Sequence, residues 1–79
     1  MTLKHRVIAK IAQALGVDAS EIKDQTSAID IAAWDSVGRM AILFAISEEF
    51  GIELAPNETS KLDSVDSILA IVRARVADE

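Results

Sequence analysis

The stretch Asp35-Ser36-Val37-Gly38-Arg39-Met40-Ala41-Ile42-Leu43-Phe44-Ala45-Ile46-Ser47-Glu48-Glu49-Phe50-Gly51 sets the architecture of this chain. Its apolar residues recur at three- and four-residue spacing, which predicts a helix from about Ser36 to Phe50. Asp35 or Ser36 can cap its start, and Gly51 stops it. Ile42, Leu43, Ile46 and Phe50 form the stripe suited to a core. On the other side Val37, Met40, Ala41 and Phe44 make a second apolar stripe, an unusual surface for a helix with one core to face.

Outward from this helix the same periodicity recurs twice. Leu3, Val7, Ile8, Ile11, Ala14 and Leu15 line one face of a helix over residues 3–15, with Thr2 as its cap, Gly16 as its end and His5 on a solvated side. Between Val17 and Trp34 the pattern weakens. Ser20 and Glu21 can start a short helical turn, and Ile22 with either Ile29 or Ile31 drops into the core of an irregular crossover. Beyond Gly51, Ile52-Glu53-Leu54 is extended or loop-like, Pro56-Asn57 breaks the pattern and residues 59–62 can form a short helical turn. Ser64 then caps a last helix whose inward set is Val65, Ile68, Leu69, Val72 and Val76. The predicted fold class is all-α: a small antiparallel four-helix bundle, three long helices plus one short, forming a single domain over residues 1–79.

At 79 residues the chain buries only about 60% of its unfolded surface, which leaves a small core and at most one shallow cavity. It has no cysteine, and hence no disulfide, thiolate nucleophile or cysteine-ligated metal. His5 is the single histidine, too little for a zinc site or, beside a distant serine and acid, for a Ser-His-Asp arrangement. The first residues carry charge without the apolar run of a secretory leader. The longest apolar block, Met40 to Ile46, is far short of the ~20 residues a bilayer requires. A monomer in the reducing cytoplasm is expected. Net charge is −5, which argues against nucleic acid and for partners with basic surfaces.

The catalytic inventory is poor. Glu48 and Glu49 are adjacent and point different ways on a helix, as members of a solvated flank do. Gly16, Gly38 and Gly51 lie too far apart to cradle a phosphate. A reactive group, if there is one, must be added to the chain. The pattern Asp-Ser-aliphatic occurs three times, at Asp35-Ser36-Val37, Asp63-Ser64-Val65 and Asp66-Ser67-Ile68, and each can be read as capping chemistry. Ser36 differs because it follows a long loop, heads a helix whose dipole and N–H groups favour a phosphate, and adjoins the stripe of Val37, Met40 and Phe44.

Trp34-Asp35-Ser36-Val37-Gly38 together with Glu48-Glu49-Phe50-Gly51-Ile52-Glu53-Leu54 closely resembles the acyl carrier protein family, and the likeness extends over essentially the whole chain. The resemblance implies a non-catalytic carrier. Ser36 matches the serine that receives 4'-phosphopantetheine, Asp35 the acid before it, and Val37 the aliphatic residue after it. A transferase would attach the arm from coenzyme A with magnesium, making the chain a phosphoprotein. The arm would then carry acyl groups as thioesters between acyl-loading and acyl-processing enzymes of lipid metabolism, in fatty acid, polyketide or related biosynthesis.

The chain also departs from the primary fatty acid carriers it resembles. Arg39, Ala41 and Ser47 occupy positions where those commonly place polar or acidic residues, leaving Glu48 as the exposed acid of the helix. Partner docking is therefore expected on Trp34, Val37, Met40, Ala41, Phe44 and Glu48, with apolar anchors dominant. Trp34 and Gly38 point to a specialised member. Ala28, Ala32, Ala33 and Ala45 either leave room for an acyl chain or let helices approach closely. The alternative from another class is a cofactor-free helical interaction module that uses the same apolar face.

Overall fold

The computed structural model describes residues 2–76; residues 1 and 77–79, included in the expected domain, lie outside the described residues. Three α-helices dominate: α1 (Leu3–Leu15), α2 (Ser36–Phe50) and α3 (Val65–Arg75). Their ends follow the sequence signals. Thr2 Oγ1 accepts the N–H of His5 at the head of α1, and Gly16 closes that helix at φ 71°. Gly51 closes α2 in the same left-handed region, at φ 63°.

The connections contain short 3-10 segments at Ala19–Glu21, Ala28–Asp30 and Pro56–Lys61. The last replaces the expected turn at 59–62. It begins earlier because Pro56 suits a first helical position and Glu58 reaches back to the N–H of Ala55 at 2.9 Å. Thus the short fourth helix of the bundle is a 3-10 segment packed on α2.

α1 packs chiefly on α2 and runs antiparallel to it. Arg6, near the start of α1, pairs with Glu49 at the end of α2 at 3.2 Å, while Leu15 at the end of α1 meets Gly38 at the start of α2. Lys10 adds a second contact to Glu49 at 3.6 Å, so Glu49 links two helices instead of joining a solvated flank. The Arg6 guanidinium also lies 4.7 Å from the centre of the Phe50 ring, and Phe50 is half-buried where a full core residue was expected.

The core joins Val7, Ile11 and Leu15 of α1 to Ile42, Leu43 and Ile46 of α2 and Val65, Ile68, Leu69 and Val72 of α3. Burying each such side chain contributes roughly 1.5–3 kcal/mol. Ile22 and Leu62 complete it from the connections. Of the two isoleucines offered for the crossover, Ile31 packs partly against the core while Ile29 is 93% exposed. The crossover is fastened to the entrance of α3 by two backbone bonds: Ala28 N–H to Asp63 O at 2.8 Å and Val65 N–H to Thr26 O at 3.0 Å.

Candidate functional site at the head of the second helix

Asp35, not Ser36, caps α2. Its Oδ1 accepts the N–H of Gly38 at 2.9 Å, and its carbonyl accepts the N–H of Arg39 at 2.8 Å. Ser36 is consequently the first helical residue, exposed, and its hydroxyl has no hydrogen-bond partner among the described residues. The N–H groups of Ser36 and Val37 likewise find no acceptor there. An exposed hydroxyl thus stands beside two open donors at the positive end of a four-turn helix, a setting that suits a phosphate ester.

The two rival serines are engaged. Ser64 caps α3: its Oγ accepts the N–H of Ser67 at 3.0 Å and donates to Ser67 Oγ at 2.9 Å. Both side chains are partly buried in that contact. The three Asp-Ser pairs therefore separate into one open hydroxyl and two structural ones.

Trp34 is a correction to the docking surface. It is only 2% exposed, and its indole N–H donates to Leu62 O at 2.8 Å, inside the core. A tryptophan satisfied in this way offers nothing to a partner; it fixes the segment that delivers Ser36. Gly38 has a related cause. A Cβ there would collide with the carbonyl oxygen of Ala33 and come within 2.9 Å of Leu15 Cδ2, so a residue without a side chain lets the crossover close on α2. Trp34 and Gly38, the marks of a specialised member, are accounted for by packing.

The other residues expected for docking lie on α2. Val37 is 77% and Phe44 63% exposed, Met40 and Ala41 are half-buried, and Glu48 is exposed. Ile29 adds an exposed aliphatic residue that the sequence offered only as a core candidate, and no local signal marks it as outward.

Open clefts line two places among the described residues, where at most one was expected. One of about 730 Å³ lies between α1 and the crossover, lined by His5, Ile8, Ala9 and residues 19, 20 and 22–25. The other, about 480 Å³, lies between α2 and the segment after it, lined by Leu43, Phe44, Ser47, Ile52, Leu54 and neighbours. Ala28, Ala32, Ala33 and Ala45 line neither; Ala28 and Ala45 are half-buried, while Ala32 and Ala33 are exposed. Two polar atoms of α2, Arg39 Nε and Ser47 Oγ, are buried without a partner.

The sequence signature described as phosphopantetheine attachment site matches residues 5–72. The chain belongs to the acyl carrier protein family. A curated relative, the acyl carrier protein of Clostridium acetobutylicum, is 37% identical over 68 residues, covering 86% of this chain and 88% of that one. As a family member this protein is a non-catalytic carrier of acyl intermediates whose cofactor is phosphopantetheine. Its partners by family are a phosphopantetheinyl transferase and acyl-processing enzymes. No helix among the described residues is long and apolar enough to cross a membrane.

Proposed function

We propose that Ser36 carries the 4'-phosphopantetheine arm, and that the protein shuttles acyl groups between enzymes of a lipid, polyketide or related biosynthetic route. One observation carries the assignment: of the three serines in an Asp-Ser-aliphatic setting, Ser36 alone presents an exposed hydroxyl without a partner among the described residues. When bound, the arm supplies the thiol that holds the acyl group as a thioester. The chain's own part is positional. Asp35 takes the Gly38 N–H and leaves the serine hydroxyl free, while Trp34 anchors the preceding loop to Leu62.

Docking in this reading rests on Val37, Met40, Ala41 and Phe44, with Glu48 at the rim. The cofactor-free interaction module would use the same surface but leaves the match to the phosphopantetheine attachment site without a reason.

The test is intact mass and peptide mapping after incubation with coenzyme A, magnesium and a broad-specificity transferase. One phosphopantetheine mass on the peptide containing Ser36 is expected. No gain, with a folded sample and a control carrier that loads, would overturn the assignment. Transfer rates should also decline less steeply with added salt than those of a strongly acidic carrier, because an apolar face is not screened.

A further inference from the structure

Arg39 lies three residues beyond Ser36 on α2 and has no task in the carrier reading so far. At that spacing two helical side chains are surface neighbours, with Cβ atoms about 5–6 Å apart. Side chains on a helix lean towards its N-terminus, so the turn that holds the serine lies within the arginine's reach. Its Nε is buried without a hydrogen-bond partner, and it takes part in none of the ion pairs among the described residues. The cations that do pair are engaged elsewhere: Lys4 with Asp24, Arg6 and Lys10 with Glu49, Arg75 with Glu58. The nearest acid in sequence, Asp35, already gives Oδ1 to the Gly38 N–H.

We propose that Arg39 binds the phosphodiester at the root of the arm and holds that root against α2. The inference rests on Ser36 being the attachment residue. A guanidinium carries five N–H donors in a planar fork that matches phosphate oxygens, and one of its edges pairs Nε with an Nη. In the unloaded protein Nε is closed to water, so the side chain must lift through its own torsions to present that edge. The lift exchanges an unsatisfied N–H for a charge-assisted hydrogen bond. The open N–H groups of Ser36 and Val37 supply further donors at the same helix end. With its root held, the arm leaves the helix in a set direction beside Val37 and Met40, while its distal part and thiol stay free to move.

Protein loaded with phosphopantetheine, its mass gain on Ser36 verified, is compared with unloaded protein by NMR of the arginine Nε–H group and of phosphorus. Loading should shift the Arg39 Nε–H signal, as a new charge-assisted hydrogen bond requires. Arg39→Gln should move the phosphorus signal, Arg39→Lys should restore it only in part, and Arg73→Gln on α3 should leave it in place. An Nε–H signal unchanged on loading, or a phosphorus signal identical in Arg39→Gln and the unmodified sequence, would overturn the proposal while leaving Ser36 as the attachment residue. A full restoration by lysine would reduce the fork to a point charge and overturn it too. Absence of any mass gain on Ser36 would remove both readings together.

Discussion

The heads of α2 and α3 begin with the same tripeptide, Asp35-Ser36-Val37 and Asp63-Ser64-Val65, yet they are offset by one residue relative to their helices. At α2 the aspartate caps and the serine is the first helical residue. At α3 the serine caps and the aspartate lies outside, its carbonyl taken by the N–H of Ala28. The offset follows from what each head is tied to. Val65 N–H is held by Thr26 O across the crossover, whereas Trp34 is drawn into the core just before Asp35. One register consumes the hydroxyl in a cap; the other leaves it open. Only one of the two nearly identical heads presents a free hydroxyl.

The sharpest way to break this comparison is to exchange the fates of the two serines. Ser36→Ala should abolish phosphopantetheine loading, read by intact mass, while Ser64→Ala should load at an unchanged level. Loading that survives the first substitution would place the attachment site at the wrong helix head.

Next in size is Gly38→Ala, at the third position of α2. Helix propensity alone would stabilise by about 1 kcal/mol. The contact of the new Cβ with Ala33 O and Leu15 makes overpacking the larger effect, so a net loss of roughly 1–3 kcal/mol is expected from denaturant midpoints. A gain would mean that the crossover yields easily and that its hold on Ser36 is weak.

At the other head, Ser64→Ala removes the cap of α3 and should cost about 0.5–2 kcal/mol in the same measurement. Ser36→Ala, with no cap to lose, should stay within about ±0.5 kcal/mol of the parent. Equal costs at the two positions would contradict the one-residue offset.

The smallest effect concerns the far end of α3. The Glu58 carboxyl is held below its ordinary value first by the Ala55 N–H and then by Arg75, which also donates to Glu53 O at 2.7 Å. Because the folded state depresses this group, its contribution is present above the ordinary value of 4.5 and is lost as pH falls through the lowered one. Thermal melts of Glu58→Gln should therefore show a shallower loss of stability on acidification than the parent. Identical acid limbs would dismiss the link.

Much of this was legible before any tertiary contact. Thr2, Gly16, Gly51 and Ser64 mark helix ends through bonds made within a few residues, which is why both bounds of α1, the end of α2 and the start of α3 follow directly from the sequence. The Asp-Ser pair heading a doubly apolar helix was likewise readable, since it needs only helical spacing. Trp34, Glu49 and Ile29 were not. A tryptophan beside an exposed serine looks like a docking residue until the carbonyl of Leu62, distant in sequence, comes within 2.8 Å of its N–H. Glu49 looks solvated until Arg6 and Lys10 arrive from α1.

By itself, then, the sequence determined three capped amphipathic helices, an acidic chain without catalytic machinery, and a serine suited to modification. Tertiary structure decided that Asp35 and not Ser36 caps α2, why α2 tolerates a glycine, and where the indole belongs. Caps and periodicity are local, closing over three or four residues. The register of a helix head depends on hydrogen bonds and packing that arrive from elsewhere in the chain, and no window of local sequence contains them.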